Sequence, residues 1–251
     1  MCNLYHLTPK NDLEVYVRRH LGIWLPEQVP DKPFVGPFDT GLFLRPAGGD
    51  AVEGVWGQWG LIRPGAPART DMIQPKTMPG RKTPAPRPRT TNNARLETVA
   101  TSPTFRAAWN EGRRCLIPAA WYQEPNWESG KNRWWQLRRA DGLPWMLAGL
   151  WNEWVDPVTG EVVPSFTMLT CNCDGHPLLG RLHKPDPSLP AQAQDKRAVI
   201  HIEPQDWTAW LTGAVAQAQA LLHPQASGFF DQADARSTDE ALALRAVQQQ
   251  R

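Results

Sequence analysis

The chain has 251 residues and a mass of 28.2 kDa, and 41% of it is hydrophobic, enough to bury a full core in one domain with appendages. No apolar run approaches the length of a membrane span, and the opening MCNLYHLTPK lacks the basic-then-apolar build of a secretion signal, so a cytoplasmic protein with no membrane partner is expected. A net charge of +2 and a pI near 8.4 admit a nucleic-acid partner without requiring one, while four unevenly spaced cysteines exclude a disulfide framework.

Asn3 to Leu7 reads as a short strand that would hold the N-terminus inside the fold. From Asn11 to His20, an Asn cap, early acids, late basic residues and Gly22 beyond describe a helix with Leu13, Val17 and Leu21 on one face. Val52 to Ile62 predicts a strand whose glycines allow close backbone approach. Arg63 to Thr91 carries Arg63, Arg69, Lys76, Arg81, Lys82, Arg87 and Arg89 against the single acid Asp71, with seven prolines, and predicts an extended basic arm without regular structure. Ser102 before Pro103 predicts a helix running through Trp109. Strands are expected over Arg114–Pro118, Arg133–Arg138, Trp145–Trp151 and Ser165–Thr170, with Asp141-Gly142 joining the second and third as a hairpin. Arg197 to Ile202 is a further strand, Pro204 to Leu211 a proline-started helix, and helical turns are expected beyond Thr212 and over Ala241 to Arg251.

These elements predict an α+β domain on a curved, largely antiparallel β-sheet with a barrel-like core and a few peripheral helices. One domain is expected over residues 1–213, including the arm at 63–91, followed by an Ala/Gln-rich extension at 214–251. Thirteen tryptophans are many for such a core, and several sit beside charge: Trp109 near Arg113 and Arg114, Trp127 near Lys131, and Trp134-Trp135 between Arg133 and Arg138. Rings interleaved with cations suit single-stranded nucleic acid, whose bases stack on aromatic faces while guanidinium groups track phosphate, although at least half of these rings are expected in the core.

Cys2 carries distinct chemistry. Removal of Met1 would leave an α-amine and a thiol on adjacent carbons, a pair that condenses with an aldehyde to an imine and then closes to a thiazolidine. Ordinary pKa values of about 7.7–8.0 for the amine and about 8.5 for the thiol leave both usable near neutral pH. Cys171-Asn172-Cys173 lacks the two-residue gap of a zinc knuckle, and neither a metal nor another cofactor is expected.

Five segments in order carry a family resemblance: MC at the start, WGLI at Trp59 to Ile62, TNNARLET at Thr91 to Thr98, RRCLIP at Arg113 to Pro118 running on to Trp121-Tyr122-Gln123-Glu124-Pro125, and LHKP at Leu182 to Pro185 ahead of the strand after Lys196-Arg197. Together they resemble the SRAP family, the SOS-response-associated peptidases, viewed as abasic-site processing proteins, over roughly Met1 to Leu211. The resemblance implies a catalytic domain that recognises abasic sites in single-stranded DNA, crosslinks to them through Cys2 and shields the lesion. It implies Asn93, Glu124 and His183 as the other active-site residues: Glu124 to shuttle protons, Asn93 to orient the amine or a sugar hydroxyl, and His183 to protonate the opening sugar oxygen or hold a phosphate. Expected DNA contacts are Arg95, Arg81, Arg87, Arg89, Trp59 and Lys184. If the thiol does not close the ring, β-elimination of the 3′ phosphate makes a lyase the side activity.

The chain departs from the family pattern in two places. Asn3 and Leu4 stand where many members have Gly and Arg after the cysteine, and Ala120-Trp121-Tyr122-Gln123-Glu124-Pro125 keeps the glutamate but loses an aspartate and a glycine. The peptidase label implies autoproteolytic exposure of the cysteine when residues precede it; with Met1 alone ahead of Cys2, an ordinary methionine aminopeptidase suffices. Two other readings remain open, a cysteine hydrolase with His183 as base and a non-catalytic single-strand binding module with Cys2 incidental. A monomer is expected.

Overall fold

The computed structural model describes residues 2–21, 23–27, 33–78, 80 and 82–234. In chain order the strands and helices are β1 (Tyr5–Leu7), α1 (Lys10–Arg18), β2 (Ile23–Trp24), β3 (Phe34–Val35), β4 (Thr40–Gly48), β5 (Ala51–Trp59), β6 (Met72–Ile73), β7 (Arg87–Pro88) and β8 (Asn93–Arg95). There follow α2 (Arg106–Asn110), β9 (Arg114–Asn126), β10 (Arg133–Arg139), β11 (Trp145–Val155), β12 (Val162–Asn172), β13 (Arg197–Val199), α3 (Trp207–Thr212), α4 (Val215–Ala220) and β14 (Phe230–Asp234).

Five strands close on themselves. β4 pairs with β5, β5 with β12, β12 with β11, β11 with β9, and β9 back to β4 through Leu44 and Leu116. All of these pairings are antiparallel except β5 with β12, and closure leaves no open edge within the ring. The core on the two faces of this wall includes Phe43, Leu44, Trp59, Leu116, Ile117, Trp145, Leu147, Phe166 and Met168, each at most 1% exposed. Glycine lets the walls approach: a Cβ on Gly149 would lie 2.7 Å from the Thr167 carbonyl oxygen and 2.9 Å from Cys115 Sγ.

β9 organises the additions. Ala119 pairs with both Leu7 and Trp145, and Tyr122 with both Tyr5 and Leu137, so β1 lies along one edge of β9 while β10 and β11 follow one another along the other. Asp141-Gly142 therefore turns the chain between consecutive segments of one edge and does not join a hairpin; Asp141 Oδ1 accepts the Leu143 N–H at 3.0 Å and Gly142 takes φ +73°. The expected strands at 114–118, 145–151 and 165–170 are all longer, because each continues onto a second partner or into the ring.

Other boundaries also differ. α1 begins at Lys10 behind Pro9 with no side-chain cap, so Asn11 lies inside the helix; Gly22 lies outside the described residues. α2 begins at Arg106, because Pro103 to Phe105 form turns that deliver the Phe105 and Arg106 N–H groups to the Ser102 carbonyl. The basic arm is not wholly irregular: Met72 and Ile73 pair with Pro88 and Arg87, and Asp71 binds Arg89 at 3.0 Å and Arg63 at 3.5 Å, which pins the base of the arm. β13 ends at Val199, and Pro204 to Asp206 form a 3-10 turn ahead of α3. Past Thr212 the chain continues through α4 to β14, which pairs with β10, within the stretch expected as an extension; the helical end expected at 241–251 lies outside the described residues.

Because a backbone carbonyl, Thr167 O at 2.7 Å, limits the space at Gly149 along with the Ile117 and Cys115 side chains, Gly149→Ala should destabilise the barrel by about 1–3 kcal/mol. The check is the urea midpoint at unchanged m-value; an unaltered midpoint would show that the wall between β9 and β12 yields freely.

Candidate active site

The site is assembled where β1, β8 and the end of β9 meet. Gln123 N–H donates to the Leu4 carbonyl at 2.9 Å, extending the β1–β9 register so that the residues ahead of β1 run beside Gln123 and Glu124. Cys2 is fully buried, and its thiol donates to the Leu4 carbonyl at 3.4 Å. β8 lies parallel to β12, with Asn93 opposite Met168, and brings two side-chain amides to one oxygen. Asn93 Nδ2 donates to the Cys2 carbonyl at 2.7 Å and Asn92 Nδ2 to the same carbonyl at 3.1 Å. Asn93 Oδ1 is buried and accepts no hydrogen bond among the described residues.

Trp59 supports this grip from behind. Its indole N–H donates to the Asn92 carbonyl at 2.9 Å, and Tyr5 meets its ring edge-on at 5.1 Å between centroids. With no exposed surface it offers no face to a base, which corrects its expected place among DNA contacts. It holds β8 in position instead.

Glu124, 2% exposed, and His183 complete the cluster, with His183 Nδ1 3.5 Å from Glu124 Oε2. His183 sits at φ +64°, a left-handed conformation that costs a non-glycine residue of order 1–3 kcal/mol unless its surroundings hold it. Here its N–H donates to the Pro125 carbonyl at 2.6 Å and its carbonyl accepts from Lys196 Nζ at 2.7 Å. Its Nε2 lies 2.8 Å from the Arg197 carbonyl, which can only accept, so Nε2 carries the hydrogen. A neutral ring then presents the Nδ1 lone pair to the carboxyl group, and the contact becomes attractive once a proton rests on either partner.

Burial drives the titrations here. Desolvation, with Glu124 adding to it, pushes the Cys2 thiol well above its ordinary value, so the resting group is S–H. Desolvation likewise lowers His183, with Glu124 opposing the shift. Cys173, under desolvation and the nearby Cys171 and Glu124, is raised to about 12 and stays an inert thiol.

The expected DNA contacts scatter. Arg95 is half exposed and paired with Asp195 at 2.8 Å; Arg87 and Arg89 are exposed on the arm, Arg89 bound to Asp71; Arg81 lies outside the described residues. Lys184 is exposed, its ammonium 5.0 Å from the centre of the Trp127 ring. Cation–ring partners come from distant sequence: Arg181, not Arg133 or Arg138, covers Trp135, and Arg138 covers Trp121. Among the described side chains seven tryptophans are buried, in keeping with at least half in the core, but of the four set beside charge only Trp109 is among them; Trp127, Trp134 and Trp135 are partly exposed. Asn92, Lys196 and Arg197 also touch the cluster without a sequence expectation; Asn92 has a signal in the Asn-Asn pair, whereas Lys196 donates its ammonium to a backbone carbonyl and Arg197 offers its own carbonyl, contacts that distance in the fold decides. Among the described residues no cluster of three or more His, Cys, Asp or Glu could hold a metal, and no helix is long and apolar enough to cross a membrane.

The fold and the site define a closed β-barrel protein with a Cys-Asn-Glu-His cluster around its second residue, Cys2 and Glu124 buried and Asn93 and His183 partly so. The sequence matches the SRAP family, SOS response associated peptidase, over residues 3–240, and the chain belongs to that family. A crystal structure of a Bordetella bronchiseptica protein is similar at 29% identity, over 92% of this chain and 97% of that one, with a TM-score of 0.71. A Bacteroides thetaiotaomicron protein (18% identity, 92% and 90% covered, TM-score 0.66) and a phage-related protein of B. bronchiseptica (16%, 92% and 92%, 0.55) share the fold. No curated protein shows a significant sequence match. Family membership gives the chain a role associated with the response to DNA damage.

A buried, protonated thiol should react slowly. Iodoacetamide at neutral pH should label Cys2 roughly ten-fold more slowly in the folded protein than in urea, read by peptide mapping; equal rates would mean the thiol is accessible.

Proposed function

We propose that the chain recognises abasic sites in single-stranded DNA and, after removal of Met1, traps them through Cys2 as a thiazolidine, shielding the lesion. The observation that carries this reading is the double amide grip of Asn92 and Asn93 on the Cys2 carbonyl. It fixes residue 2 while leaving its amine and thiol for chemistry, and the unmatched Asn93 Oδ1 is an acceptor suited to that amine.

The order of steps follows from the titrations. The thiol is held protonated by burial, so the α-amine, with an ordinary value of about 7.7–8.0, reacts first. It adds to the sugar aldehyde, the carbinolamine loses water with Glu124 supplying and then recovering a proton, and an imine forms. The thiol proton passes to the imine nitrogen as sulfur bonds to the former aldehyde carbon, closing the ring without a redox change. When closure fails, loss of the proton α to the imine expels the 3′ phosphate, giving strand cleavage. The exposed arm cations Arg87 and Arg89, with Arg95 and Lys184 nearer His183, supply contacts to phosphate. A cysteine peptidase using His183 as base gains no support, because Nε2 is engaged by Arg197 and Nδ1 faces a carboxyl group.

Incubation with single-stranded DNA bearing one abasic site should give an adduct that survives denaturation, whereas Cys2→Ser should give only a transient adduct that borohydride must trap. Equally stable adducts from Cys2→Ser would sink the thiazolidine. Glu124→Gln should slow adduct formation by roughly 10²–10⁴-fold at unchanged DNA affinity.

The arm makes a separate expectation. Arg87→Ala with Arg89→Ala should weaken binding to undamaged single strands and reduce the slope of log affinity against log salt by about 1.4, two phosphates at about 0.7 each. Unchanged salt dependence would remove the arm from the DNA path.

A further inference from the structure

We propose that Lys196 is a positioning residue for His183, holding it in its left-handed conformation and setting a positive charge against its backbone beside the His183–Glu124 contact; this rests on the reading of that cluster as the reactive site. Lys196 is 6% exposed, unusual for a lysine, and its Nζ lies 2.7 Å from the His183 carbonyl oxygen. The following residue receives His183 Nε2 on its backbone carbonyl, so two consecutive residues grip opposite ends of the same histidine.

That dipeptide is itself held from several sides. Lys196 N–H donates to Asp174 Oδ1 at 2.8 Å, its carbonyl accepts the Cys173 N–H at 2.9 Å, and β13 begins at once with Arg197 opposite Asn172. Arg197 forks onto Glu97 at 2.7 and 3.0 Å and reaches Asp195 at 3.1 Å, while Asp195 also holds Arg95. His183 meanwhile is tied by its N–H to Pro125, the residue next to Glu124. Lys196 thus links β12 and β13 to the end of β9 through the His183 backbone, and the Nδ1 to Oε2 contact lies at the junction.

The charges facing His183 are Glu124 from β9, the terminal amine and Lys196, while Asp174 and Cys173 face Lys196 in turn. A cation beside the ring disfavours imidazolium, so Lys196 works with burial to keep His183 neutral.

The test compares Lys196→Met, which keeps the length of the stem, with Lys196→Arg, which keeps the charge. Histidine ¹⁵N titration of the resting protein without DNA should show His183 as the Nε2–H tautomer. Its pKa should move upward in Lys196→Met and return towards the native value in Lys196→Arg. With abasic single-stranded DNA, Lys196→Met should form adduct roughly ten-fold more slowly at unchanged DNA affinity, its pH profile displaced to higher pH, with Lys196→Arg near native. An unmoved His183 titration in Lys196→Met, with the urea midpoint showing a folded protein, overturns the proposal, and so does an adduct rate equal to native. If native protein forms no adduct while Lys196→Met still moves the His183 titration, the positioning role stands and the abasic-site reading fails.

Discussion

The structure turns on one backbone carbonyl. The second residue of a chain ordinarily frays, because nothing offsets the entropy of fixing it. Here the Cys2 carbonyl receives two side-chain amides, one from the first residue of β8 and one from the residue just before it, and β8 is a three-residue strand fixed by parallel pairing to the long β12. The indole of Trp59 ties the same short strand to the end of β5. A barrel wall therefore defines the position of a terminus, and the same wall excludes water from the thiol.

Water exclusion explains the rest of the electrostatics. Desolvation penalises whichever form is charged, so it raises the thiol and lowers the imidazole at once. Both groups rest neutral, and neither is an activated nucleophile or a strong acid before a substrate arrives. A site of that kind suits an electrophile that reacts first with an amine and brings the thiol and carboxyl group into play afterwards. A cysteine hydrolase needs the opposite arrangement, a thiolate formed in advance beside a protonated base.

The architecture was legible from strand patterning, and the four side chains that the fold brings together, Cys2, Asn93, Glu124 and His183, from their motifs, because both depend on residue type in local order. What escaped depends on distance. Asp141-Gly142 carries a hairpin's chemistry, yet β10 and β11 both prefer the edge of β9, a choice made by tertiary pairing. Trp59 has the composition of a DNA contact and the location of a strut. Cation–ring pairs form between residues distant in sequence: Arg181 reaches Trp135 on β10 and Lys184 reaches Trp127 in the turn after β9, partners that the fold and not sequence neighbourhood selects.

The two departures from the family pattern also acquire physical content. Leu4, standing where many members have arginine, is 4% exposed and packs with Phe34 and Trp121 in a small apolar cluster, so the position next to the reactive terminus has become part of the wall. An arginine there would place a cation in that apolar cluster, two residues from Cys2. Pro125 follows Glu124 and cannot donate a hydrogen bond, but its carbonyl accepts the His183 N–H at 2.6 Å. The substituted segment thus retains a connection from the carboxyl-bearing strand to the histidine. Under the reading proposed above, contacts to phosphate would fall to Arg87, Arg89, Arg95 and Lys184, whose side chains are exposed.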